Sequence, residues 1–170
     1  AMVYAGYARG RRPEILAPDT PARPEGDVAF NPVSAETIDS FEIGAKARSR
    51  RTGLSAEIAA YHYAYRNFQT IIQQGAQYTV ADAGKASTLG LEAEGRWTPA
   101  GPLEVFAVLD VSRARFEEGL YEGNRLALNS DVRITAGASL SMPVPVAELR
   151  FIPTYAWRSG FYFSDDNGAP

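Results

Sequence analysis

Arg9, Arg11 and Arg12 are the residues of this 170-residue chain best placed to bind something. They follow an aromatic stretch and open a segment, Gly10 to Glu36, that contains five prolines and reads as a long loop. Fixed positive charge at the mouth of such a loop suits an anionic chelate. A solvated turn accounts for the same residues and is the commoner arrangement. Asp165, Asp166 and Asn167 offer oxygens to a hard cation, although an acidic loop tip is ordinarily just hydrated. His62, the single histidine, lies among Tyr61, Tyr63 and Tyr65, where a packing role is commoner than ligation of haem or metal. The absence of cysteine removes thiolate ligands, disulfides and a thiol nucleophile. No Ser/His/Asp order with a nucleophile elbow, P-loop or dinucleotide fingerprint is present, and Gly84-Lys85-Ala86-Ser87 lacks the glycine frame a P-loop needs. The residues predict no enzyme, no cofactor and no metal site.

A net charge of −3, with no basic run longer than Arg11-Arg12 or Arg50-Arg51, argues against nucleic acid as a partner. The first seven residues, Ala1 to Tyr7, lack the basic and apolar regions of a signal peptide, so the chain is expected to start inside a domain. No apolar run approaches the ~18 residues of a spanning helix. Any membrane crossing must therefore use strands.

The elements that position these residues announce themselves by period two. From Asp131 to Met142, Val132, Ile134, Ala136, Ala138, Leu140 and Met142 alternate with polar or small residues, which makes a strand with one apolar face. Leu103 to Val111, Ser87 to Trp97 and Thr37 to Ser49 repeat the pattern. Val3 to Arg9, Leu54 to Phe68 and Glu148 to Phe163 complete about seven strands, the last with an irregularity at Pro153, which lacks a ladder donor. Short turn signals at 50–53, 98–102 and 143–147 close one end. Long segments, Gly10 to Glu36, Gln69 to Ala86 and Phe116 to Ser130, occupy the other. Outer-membrane barrels are organised this way, with the long loops outside the cell. Several alternating segments run ten residues or more, against about five or six for a globular strand and ~9–11 for a tilted membrane strand. Aromatics gather toward segment ends, as interfacial girdles do. Charges such as Glu42, Lys46, Glu92, Glu94, Asp110 and Arg133 are expected on the lumen side, where cross-strand pairing accounts for them.

Four stretches carry a family resemblance. Tyr4-Ala5-Gly6-Tyr7-Ala8-Arg9-Gly10-Arg11-Arg12-Pro13 resembles a strand running into its loop in the barrels of TonB-dependent receptors, with Arg11 where an aromatic is usual. Residues 34–46, ending Phe41-Glu42-Ile43-Gly44-Ala45-Lys46, are similar to the family's Pro-Glu-x-x-x-x-Tyr-Glu-x-Gly-x-Lys segment, with Ala35 for the proline and Phe41 for the tyrosine. Tyr61 to Gln69 resembles the end of the next strand, and Ala83 to Glu94 the Gly-x-Ala-x-x-x-Gly-x-Glu-x-Glu strand after it. Order and spacing agree. The resemblance implies an all-β, antiparallel up-and-down meander, a curved open sector of a large transmembrane β-barrel in the bacterial outer membrane. It implies that residues 1–170 are part of a receptor barrel domain, a fragment at both ends. Its partners would be outer-membrane lipid, a plug domain, TonB through that plug, and a small-molecule ligand such as a siderophore–iron complex. The competing expectation from pattern alone is a soluble β-sandwich or small barrel that binds carbohydrate or protein, and it predicts a folded monomer without detergent.

Overall fold

Period two becomes one continuous antiparallel sheet. A computed structural model of the chain describes residues 1–18, 30–74, 77–99 and 101–168. It contains β1 (Met2–Arg12), β2 (Ile15–Pro18), β3 (Phe30–Val33), β4 (Glu36–Ser49), β5 (Leu54–Arg66), β6 (Gln69–Gln74), β7 (Gln77–Asp82), β8 (Lys85–Trp97), β9 (Leu103–Glu118), β10 (Val132–Val144), β11 (Ala147–Phe151) and β12 (Thr154–Arg158). The main sheet runs β1-β4-β5-β8-β9-β10-β11, with β12 also paired to β10. Every pairing is between antiparallel neighbours. No second sheet lies against its apolar face among the described residues: Ile43, Ile58, Leu91 and Ile134 are exposed there. This is an open meander and not a sandwich.

Three expectations change in detail. The long segments Gly10 to Glu36 and Gln69 to Ala86 contain hairpins, β2–β3 and β6–β7. These strands of four and six residues are too short for alternation to stand out. Residues 19–29, 75–76, 100 and 169–170, parts of the expected loops, a turn and the tail, lie outside the described residues. Strand β9 continues past Val111 to Glu118. Finally, Glu148 to Phe163 divides into β11 and β12 at Ile152-Pro153 and stops at Arg158. Pro153 has no N–H to give to β10, although its carbonyl still accepts the Ala138 N–H at 3.1 Å.

The register fixes the faces. Each residue pairs with one on the same side of the sheet, which places Ala45, Ile58, Ala93, Leu109, Ile134 and Trp157 in one apolar row. Lys46, Glu57 and Glu94 form the adjacent row on the opposite side. The charges expected in the lumen all share that polar face, and several are paired: Lys46 with Glu57, Arg96 with Glu104 at 3.3 Å, Arg133 with Asp110 at 3.3 Å. On the apolar face the uninterrupted band spans Leu54–His62, Leu89–Trp97 and Leu103–Val111, nine residues each, and eleven from Val132 to Met142. That is the reach of a tilted strand through a bilayer core, ~9–11 residues.

Above the band the polarity changes sides. Tyr7, Phe41, His62 and Leu89 form its last apolar row. The next row on the same face is Arg9, Asp39, Ala64, Ser87 and Arg115, and beyond it lie Arg11, Thr37 and Arg66. At that height the apolar residues are on the other face, where Tyr65, Ala86 and Phe116 are in register and Phe116 is the largest fully buried side chain.

Within the polar face, tyrosines lie over glycines. The Tyr61 ring covers Gly90 so closely that a Cβ would land on it, and its hydroxyl donates to Asp110 Oδ2 at 3.2 Å. Gly90→Val is expected to displace Tyr61 and destabilise the fold by about 1–3 kcal/mol. Gly95→Val, in a position with open space around the missing Cβ, should be silent. Equilibrium unfolding of the intact protein compares them, and equal effects would contradict the seating of Tyr61.

Candidate ligand mouth

The end of the sheet with long connections is closed by a small apolar knot. Ala83, Ala86 and Phe116 are buried together, with Tyr65, Phe68, Tyr121 and Leu126 packed around them. Phe116 meets Phe68 edge-on at 5.4 Å between centroids, and Tyr121 at 5.5 Å. Two glycines let the β7–β8 and β9–β10 connections touch through their backbones. Gly84 at φ 95° and Gly119 at φ 106° adopt conformations that suit glycine, and a Cβ on either would strike the other's strand end.

Gln69 ties the first long connection to the second. Buried at the start of β6, it gives its side-chain amide to the carbonyls of Pro13 and Ser34, at 3.0 and 2.9 Å, and its backbone N–H to Glu36 Oε2 at 2.8 Å. Residues 159–168 then fold back over the knot. The Asp165 carboxylate accepts from the Thr70 hydroxyl and from Ala127 N at 2.8 Å, and its carbonyl accepts from Asn124 at 2.9 Å. The Asn167 amide brackets Arg125, accepting its N–H and donating to its carbonyl, both at 2.8 Å. The Asp166 carboxyl is held below its ordinary range by hydrogen bonds from Ser164 and the Gly168 N–H. Burial, followed by the nearby Asp165 and Asp166 charges, raises the Tyr121 phenol. Asp165, Asp166 and Asn167, which the sequence leaves as a hydrated acidic tip, are instead a fastening, their side chains engaged by Thr70, Ala127, Ser164 and Arg125. Asn167 lies at φ 55°, so Asn167→Gly removes the amide without strain. It should loosen residues 159–168 by about 1–3 kcal/mol, visible as faster amide exchange at Arg125; unchanged exchange would show the bracket to be idle.

Between these pieces is a cavity of about 750 Å³ whose walls include Arg12, Gln69, Tyr78, Tyr121, Phe163 and Asp166. The three candidate arginines do not converge on it. Arg12 faces the cavity, its Nη1 donating to the Gln69 carbonyl at 3.5 Å. Arg9 and Arg11, on the other parity of β1, face outward with the apolar band below them. Arg9 forks onto Asp39, with Nε 2.6 Å and Nη2 3.0 Å from the carboxylate. His62 is in the aromatic row, 6.5 Å from the Phe41 ring, whose other neighbour is Tyr7 at 5.1 Å. The roles of Gln69, Phe116 and Asn167 are not legible in the sequence, because each acts on partners far along the chain.

The family model for the β-barrel of TonB-dependent receptor-like proteins matches residues 1–170. The chain belongs to the TonB-dependent receptor β-barrel family. A solved structure, the ferric yersiniabactin uptake receptor FyuA from Yersinia pestis, is similar over 98% of this chain at 21% identity and a TM-score of 0.78. The chain spans 24% of FyuA's length. No curated protein matches the sequence. In outer-membrane barrels the apolar face of such a sheet meets lipid and the charged face the lumen; the Tyr61–Gly90 seat is on the charged face. This is a family of bacterial outer-membrane receptors and transporters, not an enzyme class.

Proposed function

We propose that the chain is a sector of an outer-membrane receptor that imports a scarce ligand such as a siderophore–iron complex. The observation that carries this reading is the lipid-facing band, nine to eleven residues deep and bounded by an aromatic row, beyond which the polarity of the sheet reverses. A plug domain lies against the charged lumen face, and TonB acts through that plug. The cavity at the outer rim, with Arg12 among the aromatic side chains of Tyr121 and Phe163, suits an anionic chelate with planar groups.

Two measurements test the reading. The intact receptor should fractionate with the outer membrane and show heat-modifiable electrophoretic mobility; a parent wholly soluble in periplasm or cytosol would overturn it. Ferric-chelate uptake by cells that depend on this receptor should fall about tenfold in Arg12→Ala, as expected for loss of a charge-assisted hydrogen bond. Undiminished uptake would remove Arg12 from the ligand mouth.

A further inference from the structure

Four large apolar side chains on the outer rim stand bare around the cavity. Ile71 and Tyr78 of the β6–β7 hairpin, Leu128 of the β9–β10 connection and Phe163 of the returning segment are each 66% to 69% exposed, and all are walls of the space of about 750 Å³ that Arg12 also lines. Packing does not account for them, since the Phe116 knot is built from other residues. Leu128 is the least expected. Its φ of 60° is the left-handed conformation, which a leucine, having a Cβ and no polar side chain to bond its own backbone, adopts only at a cost. The bonds around it impose that conformation: the Ala127 N–H goes to Asp165 Oδ1 and the Leu128 N–H to the Tyr162 carbonyl, both at 2.8 Å, while the Asn129 carbonyl accepts from Arg125 at 3.4 Å. Successive residues are thus fastened so that an apolar side chain stands out into water. Backbone strain persists where the surroundings over-determine it, and it gathers at ligand clamps.

We propose that Leu128, with Ile71, Tyr78 and Phe163, forms a site for an aliphatic arm of the ligand, so that the receptor takes amphiphilic ferric chelates with an anionic head and an apolar tail. The site deepens the reading of the rim as a ligand mouth and rests on it. The occupant follows from continuity with Arg12. One part of the cavity wall offers a guanidinium and another offers bare apolar surface, a combination that neither a fully hydrated anion nor an uncharged hydrocarbon would use in full. Burying such surface against an aliphatic chain removes both from water. Bilayer lipid does not reach the site, because Arg12 is on the charged side of β1, and the outward parity at this height belongs to Arg9 and Arg11.

The test measures binding of two ferric chelates to the intact receptor in lipid nanodiscs, since detergent would compete for an apolar site. Both probes are citrate-based ferric dihydroxamates, one bearing an octanoyl chain and one without it, and the ratio of their dissociation constants is the readout. Wild type should prefer the octanoyl form about tenfold, the gain from burying roughly two methylenes. Leu128→Asn, which places a residue at ease in the left-handed conformation, should bring the ratio close to one, and Leu128→Met should preserve it. Leu120→Asn, also at an exposed position but outside the cavity, should leave it unchanged. Arg12→Ala should weaken both probes alike. A wild-type ratio near one, a ratio untouched by Leu128→Asn, or an equal loss in Leu120→Asn would overturn the arm site while the ligand mouth stands. So would a receptor dimer that is lost in Leu128→Asn, which would assign the surface to a second copy. Binding of neither probe would count against the ferric-chelate reading itself and remove the arm site with it.

Discussion

Replacing Ile58 with arginine is expected to destabilise the receptor by about 2–4 kcal/mol, the penalty for a cation at the midplane of the lipid-facing band. Ile58 is the central residue of Leu54–His62, and its neighbours across the sheet are Ala45 and Ala93. Neither alanine supplies a counter-charge, and both band edges are four residues away, which limits how far the side chain can snorkel. Ser139→Arg provides the comparison. Ser139 is opposite Glu104, on the lumen face, where an added arginine gains an acidic neighbour. Urea titration of the intact receptor refolded into vesicles should show a large loss for Ile58→Arg and little change for Ser139→Arg. Similar losses for the two would mean that the faces have been assigned the wrong way round.

The second large effect concerns the outer rim. Phe116→Ala leaves a hole where the largest fully buried side chain stood, a change that typically costs about 3–5 kcal/mol. The loss should be local. Phe116 packs on Phe68 and Tyr121, and its backbone bonds hold Asn124 and Gly123, at 3.0 and 2.9 Å. None of these residues lies within the membrane band. Amide exchange should therefore accelerate across residues 119–131 and the β6–β7 hairpin, while β4, β5 and β8 keep their protection within the band. Ferric-chelate uptake should fall with it, since Tyr121 and Phe68 line the cavity. If exchange accelerated uniformly along the strands, the knot would be part of the barrel's own stability; if nothing changed, it would not be a core.

How far the sequence reveals these features depends on whether period two or distant pairing produces them. The strands Val132–Val144 and Lys85–Trp97 were legible because each alternates over its whole membrane crossing, and the side-by-side charges follow from the same parity. The same rule separates Arg12 from Arg9 and Arg11, which a loop-mouth reading had treated as one group. The end of β9 was missed for a physical reason. After Val111, Arg113 and Arg115 occupy the face that had been apolar, so a pattern extrapolated from below stops early, while the chain continues as a strand whose apolar residues, Ala114 and Phe116, have moved to the opposite side. The hairpins β2–β3 and β6–β7 are too short to show a period. Asp39 beneath two arginines, Gln69 joining two connections and Asn167 bracketing Arg125 are formed by residues 27 to 56 positions apart, and local pattern carries no record of such partners.

The exchange of faces just above the Tyr7–Phe41–His62 row divides β1, β4, β5, β8 and β9 each into two stretches that answer to different solvents. Below it, an outward leucine is ordinary and an outward arginine is a defect; above it, the reverse holds. The upper stretches of β5, β8 and β9, with their hairpin and connecting segments, consequently form a water-soluble unit carried on a lipid-soluble one, joined at a line and not at a linker. Such a line is a natural boundary for grafting. A rim taken from another receptor and joined at Tyr7, Phe41, His62 and Leu89 should bring its own ligand preference while the spanning staves below remain unaltered.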